Sequence, residues 1–131
     1  MAHWNDVRRI ALALPQTTER AENGLSWAVQ DKAFAWERPL RPADLRALGE
    51  RAPKGPILAA RVESLLAKEA RIEGEPRLFF TTPHFAGYPA VLVRLGAISR
   101  RALEDLIVEA WLARAPKRLA RQYLDVSKRE R

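Results

Sequence analysis

Between Ser99 and Pro116 the chain places Leu103, Leu106, Ile107, Ala110 and Trp111 at helical spacing, a single apolar stripe along about two and a half turns. Ser99 is a good N-cap, and Ile98 with Leu103 completes a hydrophobic staple across it. Pro116 stops the run, since its ring removes a donor and clashes with the preceding turn. A helix of this kind is stable only if a complementary apolar surface covers its stripe. The rest of the chain must supply that surface.

The opening residues supply a second stripe. Trp4, Val7, Ile10, Ala11 and Leu14 share one face of a helix over 5–14, with Arg8 and Arg9 turned away and Pro15 ending it. Between the two helices the period changes. Residues 16–23 are polar and read as a loop. Leu25, Trp27 and Val29 then alternate with Ser26, Ala28 and Gln30, and Phe34 and Trp36 alternate with Ala33, Ala35 and Glu37. With Asp31-Lys32 as the turn, this is a hairpin. Pro39 and Pro42 break the pattern, and a short helix follows over 44–49.

After a turn at 53–56 come a strand over 57–62 and a helix over 63–72, with Val62, Leu65, Leu66, Glu69 and Ala70 near its buried side. Strands over 77–81 and 90–95 precede the long helix. Lys117 to Leu124 forms one more helix, and 125–131 is expected to be a frayed basic tail. Strands grouped between helices, with hairpin-length links, indicate an α+β domain over 1–124 with a mainly antiparallel sheet. Helices 5–14 and 99–114 would cover one face. All four Trp fall on predicted apolar faces and are expected in the core.

A chain of 131 residues reads as one domain. It has no Cys, which excludes disulfides, thiol catalysis and thiolate metal sites. It has no apolar run of the ~18 residues that a membrane span needs. The polar N-terminus does not read as a signal peptide, so a cytoplasmic protein is expected. The net charge of +7 is unevenly spread: residues 114–131 hold seven Lys/Arg against two Asp/Glu. Such a segment can track phosphate or be a solvated helix end. Arg outnumbers Lys by 18 to 5, a bias that codon composition could also produce.

One stretch stands apart. Phe80 to Leu95 reads FTTPHFAGYPAVLVRL, with Pro83, Gly87 and Pro89 shaping a turn before an apolar strand. Thr81, Thr82 and His84 raise the question of a nucleophile and base. No acidic residue lies between Glu75 and Glu104 to orient the imidazole, so no catalytic residues are assigned. His84 is the only internal His and the carboxylates are scattered, so no metal site or cofactor is expected. By alternation, Leu78 and Phe80, with Val91, Val93 and Leu95, take the core side. Arg61, Arg77 and Arg94 would then decorate the open sheet face. Together with Lys117, Arg118 and Arg121 they could contact phosphates, while Phe85 or Tyr88 stacks on a base.

The same run resembles the signature of the MmcQ/YjbR family. Ala115-Pro116-Lys117-Arg118-Leu119 resembles that family's C-terminal motif, and residues 6–15 are similar to its first helix. The resemblance spans about the whole chain in the same order. It implies a frataxin-like (CyaY-like) two-layer sandwich, with helices on one face of an antiparallel sheet. It also implies a double-wing mode of DNA binding, with wings here at 25–36 and 77–95. The first wing is nearly neutral at its tip, where Asp31 sits beside Lys32. The leading expectation is therefore a non-catalytic, DNA-binding protein. The alternative is a small-molecule or protein-binding module in which the 82–89 loop uses His84, Phe85 and Tyr88 as contacts. A concave pocket bordered by His84, Tyr88 and Trp36 would favour the alternative; a flat, continuously positive surface would favour DNA. The sequence leaves the oligomeric state open.

Overall fold

The computed structural model describes residues 2–129. Helix α1 (Trp4–Leu12) leads into strands β1 (Thr17–Arg20), β2 (Ser26–Val29) and β3 (Lys32–Glu37). Then come α2 (Pro42–Leu48), β4 (Ile57–Arg61), α3 (Leu65–Gly74), β5 (Phe79–Phe80), β6 (Ala90–Arg94), α4 (Arg100–Arg114) and α5 (Lys117–Arg129). The six strands form one antiparallel sheet in the order β1-β2-β3-β4-β6-β5. The class is the expected α+β.

The stripes of α1 and α4 do what their spacing requires. Val7, Ile10 and Ala11 of α1 and Leu103, Leu106, Ile107, Ala110 and Trp111 of α4 are all buried. They pack with Trp27, Val29, Phe34, Leu58, Ala60, Val91 and Val93 into one core on the helical side of the sheet. Each large side chain removed from water there contributes about 1.5–3 kcal/mol. Ser99 caps α4 by accepting the Ala102 N–H at 3.1 Å. Trp111 donates its indole N–H to the Pro15 carbonyl at 3.0 Å, so α4 also fixes the chain that leaves α1.

Residues 16–23 are not simply a loop. β1 pairs with β2 as an edge strand with alternating exposure. Its polar composition hides it, because an edge strand lying mostly in water needs few apolar residues. Glu19 secures it. The Trp27 indole and two nitrogens of Arg8 each donate to this carboxylate at 2.9 Å. The Arg8 guanidinium holds the Glu19 carboxyl below the usual carboxylate range.

The β2–β3 turn sits one residue earlier than expected. Gln30 and Asp31 take φ of 47° and 67°, the two left-handed positions of a type I′ hairpin turn. A bulge follows. Trp27 pairs with Ala35 and Ala28 with Ala33, leaving Phe34 as the extra residue. Phe34 and Ala35 both enter the helical-side core, and Trp36 turns to the opposite face. Strict alternation therefore fails in β3, and Trp36 leaves the main core in which all four Trp were expected.

Two further expectations are corrected. Phe79, rather than Phe80, joins the helical-side core; Phe80 pairs with Leu92 and takes the second face. On α3, Leu65 and Leu66 are exposed and Lys68 is buried. The Ser64 cap, accepting from Ala67 N–H, sets the helix phase so that Ala67 and Ile72 pack inward instead. α5 continues as helix to Arg129, because no Pro or Gly interrupts its pattern; the last two residues of the expected tail lie outside the described residues.

Replacing Glu19 by Leu strips the acceptor from the buried Trp27 indole. We expect a loss of about 1–3 kcal/mol, read as a lower urea midpoint at unchanged slope. A midpoint equal to wild type would show that backbone pairing alone holds β1.

Candidate functional site

The second face of the sheet carries its own smaller cluster. Ile57, Ala59, Ala90 and Leu92 are met there by Phe80 and Phe85, with Trp36, Leu40 and Leu48 packed around them. The helices α1 and α4 do not reach this face. The 82–89 segment, expected as a projecting wing tip, folds back over it instead. A one-turn helix at Pro83–Phe85 follows Thr82, and Gly87 at φ 78° lets the chain reverse where a side chain would strain it.

Lys68 fixes this segment from below. Its ammonium donates to the Phe85 carbonyl at 2.6 Å and the Tyr88 carbonyl at 2.9 Å. No carboxylate accompanies it among its hydrogen bonds, and burial pushes its pKa below the ordinary lysine value. On the other side, the buried Arg38 guanidinium lies 5.2 Å from the centre of the Phe85 ring. Arg38 donates to the Pro39 carbonyl and, at 3.0 Å, to Asp44. Asp44 also accepts the Arg41 N–H at 2.9 Å, which ties the first turn of α2 to the same ion pair. Burial alone would raise the Asp44 pKa, but the Arg41 amide and the Arg38 charge outweigh it, so the carboxyl titrates below its ordinary value. The Thr82 hydroxyl lies beside this carboxylate, buried but outside hydrogen-bonding geometry.

Above these anchors lies a groove of about 560 Å³, lined by Asn23, residues 36–41, His84, Phe85 and Tyr88. Phe85 is its buried floor. Trp36 comes from β3, and Tyr88 from the folded-back segment. Glu37 is braced at one end, where its carboxylate accepts the Leu25 N–H at 3.1 Å. Gly24 passes so close that a Cβ would stand 3.0 Å from the Glu37 oxygen, and its φ of 97° also demands glycine.

The residues expected to act together separate into three places. Arg61 and Arg94 share the second face at its two ends. Arg61 donates to the Tyr88 hydroxyl at 3.0 Å with its guanidinium 5.0 Å from that ring centre, and Arg94 stacks on Phe80 and donates to the Arg51 carbonyl. Arg77 is exposed in the turn before β5. Lys117, Arg118 and Arg121 belong to α5, whose Tyr123 packs on Trp111 on the helical side. His84 and Tyr88 are exposed around the groove while Phe85 is its floor. The His84 imidazole meets the edge of Phe85 and makes no side-chain hydrogen bond among the described residues. No cluster of three or more metal-ligating side chains occurs among the described residues. Nor is any helix there long and apolar enough to cross a membrane.

Trp36, expected from the sequence as a border of such a pocket together with His84 and Tyr88, does line the groove, whereas Arg38, Leu40, Arg41, Asp44 and Lys68 were not legible as site residues. The charged groups were hidden by the lack of any sequence signal that distinguishes a buried ion from a solvated one.

Comparison with known proteins fits this architecture. The chain is 52% identical over 127 residues to "Uncharacterized protein Rv2570" of Mycobacterium tuberculosis, covering 95% of this chain and 97% of that one. The same figures hold for "Uncharacterized protein Mb2600" of Mycobacterium bovis. The chain belongs to the family of these mycobacterial proteins. No family model matches it. Among solved structures it is similar to the DUF419-domain protein DR2400 of Deinococcus radiodurans, with a TM-score of 0.62 and 18% identity over 86% of this chain and 78% of that one. That likeness is one of fold.

Asp44→Asn leaves Arg38 buried without its counter-charge, and we expect a loss of about 3–5 kcal/mol. Because the folded pKa of Asp44 is depressed, its contribution is full above the ordinary carboxylate value and is lost as pH falls through the lowered one. A stability–pH curve should therefore be flatter for the variant in that acid window; parallel curves would show that Asp44 does not titrate as described.

Proposed function

We propose that this protein is a non-catalytic binding module whose ligand occupies the groove between β3, the chain leading into α2, and the 82–89 segment. The observation that carries the reading is the concavity itself: Trp36, His84 and Tyr88 border one pocket over a buried Phe85 floor. Ligand sites are characteristically concave and aromatic-lined, with few polar groups. The binding reading over an enzyme is supported by His84, which has no carboxylate hydrogen-bond partner among the described residues, and by a Thr82 hydroxyl that is buried rather than presented. The motifs at 80–95 and 115–119, together with the fold shared with a DUF419 domain, support placing the chain in the MmcQ/YjbR family. Small aromatic fragments should shift the NMR signals of Trp36 and Tyr88, and Trp36→Ala should weaken that binding at least about tenfold. Fragments that bind only elsewhere would overturn the assignment.

Nucleic-acid binding is a second reading, supported by one feature of α5. Lys117, Arg118, Arg121, Lys128 and Arg129 fall within roughly a third of the helix circumference, opposite the side carrying Leu119 and Tyr123. Asp125 is the acid among them, and none of the five makes an ion pair among the described residues. A stripe of this kind suits a phosphate backbone. Duplex DNA affinity should then fall with a log–log salt slope of about −0.9 per phosphate contacted, and reversing Lys117, Arg118 and Arg121 to Glu should abolish it. Absence of binding at about 50 mM salt would remove the reading.

A further inference from the structure

We infer that the groove selects a planar aromatic or heteroaromatic ligand carrying a carboxylate or phosphate; this rests on the groove being a ligand site. The flat part follows from the lining, to which Trp36, Phe85 and Tyr88 each contribute an aromatic ring. The anionic part follows from which polar groups are already engaged. Arg38 is neutralised by Asp44 and turned toward Phe85 and the Pro39 carbonyl. Glu37, the one carboxylate in the lining, has an oxygen taken by the Leu25 amide. What remains is rich in donors. The Arg41 guanidinium is exposed and makes no ion pair or side-chain hydrogen bond among the described residues. The His84 imidazole is likewise without a hydrogen-bond partner there.

Tyr88 contributes a third donor. Its hydroxyl oxygen accepts from Arg61, which leaves the phenolic proton available to donate and sets a positive charge against the ring. A guanidinium, an imidazole and a phenol around aromatic walls complement an acceptor-rich, negatively charged group on a flat body. A volume of about 560 Å³ suits one such molecule of mononucleotide or aryl-acid size.

Calorimetric titration with four probes tests this: adenosine 5′-monophosphate, adenosine, 2-naphthoate and 2-naphthamide. We expect at least one charged probe to bind about tenfold or more tighter than its neutral counterpart. Arg41→Ala should erase that preference, Tyr88→Phe should reduce it, and Trp36→Ala should weaken charged and neutral probes alike. Preference for the nucleotide or for the naphthoate tells which source of the anion the groove accepts, and either supports the inference. Neutral probes that bind the groove as tightly as charged ones would overturn the anionic assignment and leave the ligand site standing. Failure of all four to perturb Trp36 and Tyr88 at about 1 mM would overturn both.

Discussion

One extra residue in β3 decides which way the sheet faces. Phe34 has no partner across the hairpin, so Phe34 and Ala35 both bury against α1 and α4, and the next side chain, Trp36, must emerge on the far side. The helical-side core gains an aromatic ring. The second face gains another, and with it one wall of the groove. Without the bulge, simple alternation would have kept Phe34 and Trp36 on one side and left the second face without its indole.

The second face is then closed by charge rather than by another helical layer. Lys68 reaches from α3 to two carbonyls of the folded-back segment, and Arg38 and Asp44 join the end of β3 to α2 beneath Phe85. Buried ions are costly unless each is satisfied, and both sets are satisfied by several partners in fixed directions. Apolar packing is non-directional and would tolerate several placements of an eight-residue loop. Hydrogen bonds from an ammonium to two specific carbonyls do not. The groove is a by-product of that fixing: a segment tied down at Phe85 and Tyr88 leaves His84 and the Tyr88 ring standing around a hollow.

Much of the fold was legible in the residues. The stripes of α1 and α4, the Ser99 cap, the proline stops and the strands around Trp27, Leu58 and Leu92 follow from local periodicity, which is set by backbone geometry alone. The edge strand at Thr17–Arg20 was not, because its half-buried positions are Thr17 and Glu19, which carry no apolar signature. The phase of α3 was missed for a related reason: Leu65 and Leu66 look like core residues, yet Lys68 has the better-satisfied place inside. Of the candidate site, the His84–Tyr88 segment was visible from its proline and glycine punctuation. Trp36 was legible as a companion of His84 and Tyr88, though on a predicted core face; Arg41 was not, since nothing in the sequence ties it to that distant segment.

By itself, then, the sequence determined the class of structure: two amphipathic helices that must bury against an antiparallel sheet, with no thiol chemistry and a charge excess near the C-terminus. These are consequences of spacing and composition, which act along the chain. The tertiary structure decided what faces what. It separated the arginines of the sheet from the cations of α5, turned Trp36 away from the main core and folded Phe80–Tyr88 into the wall and floor of a groove. Those outcomes depend on a one-residue bulge and on a buried ammonium finding its partners 17 and 20 residues along the chain. Pairings of that kind are fixed only when the competing arrangements can be compared in three dimensions.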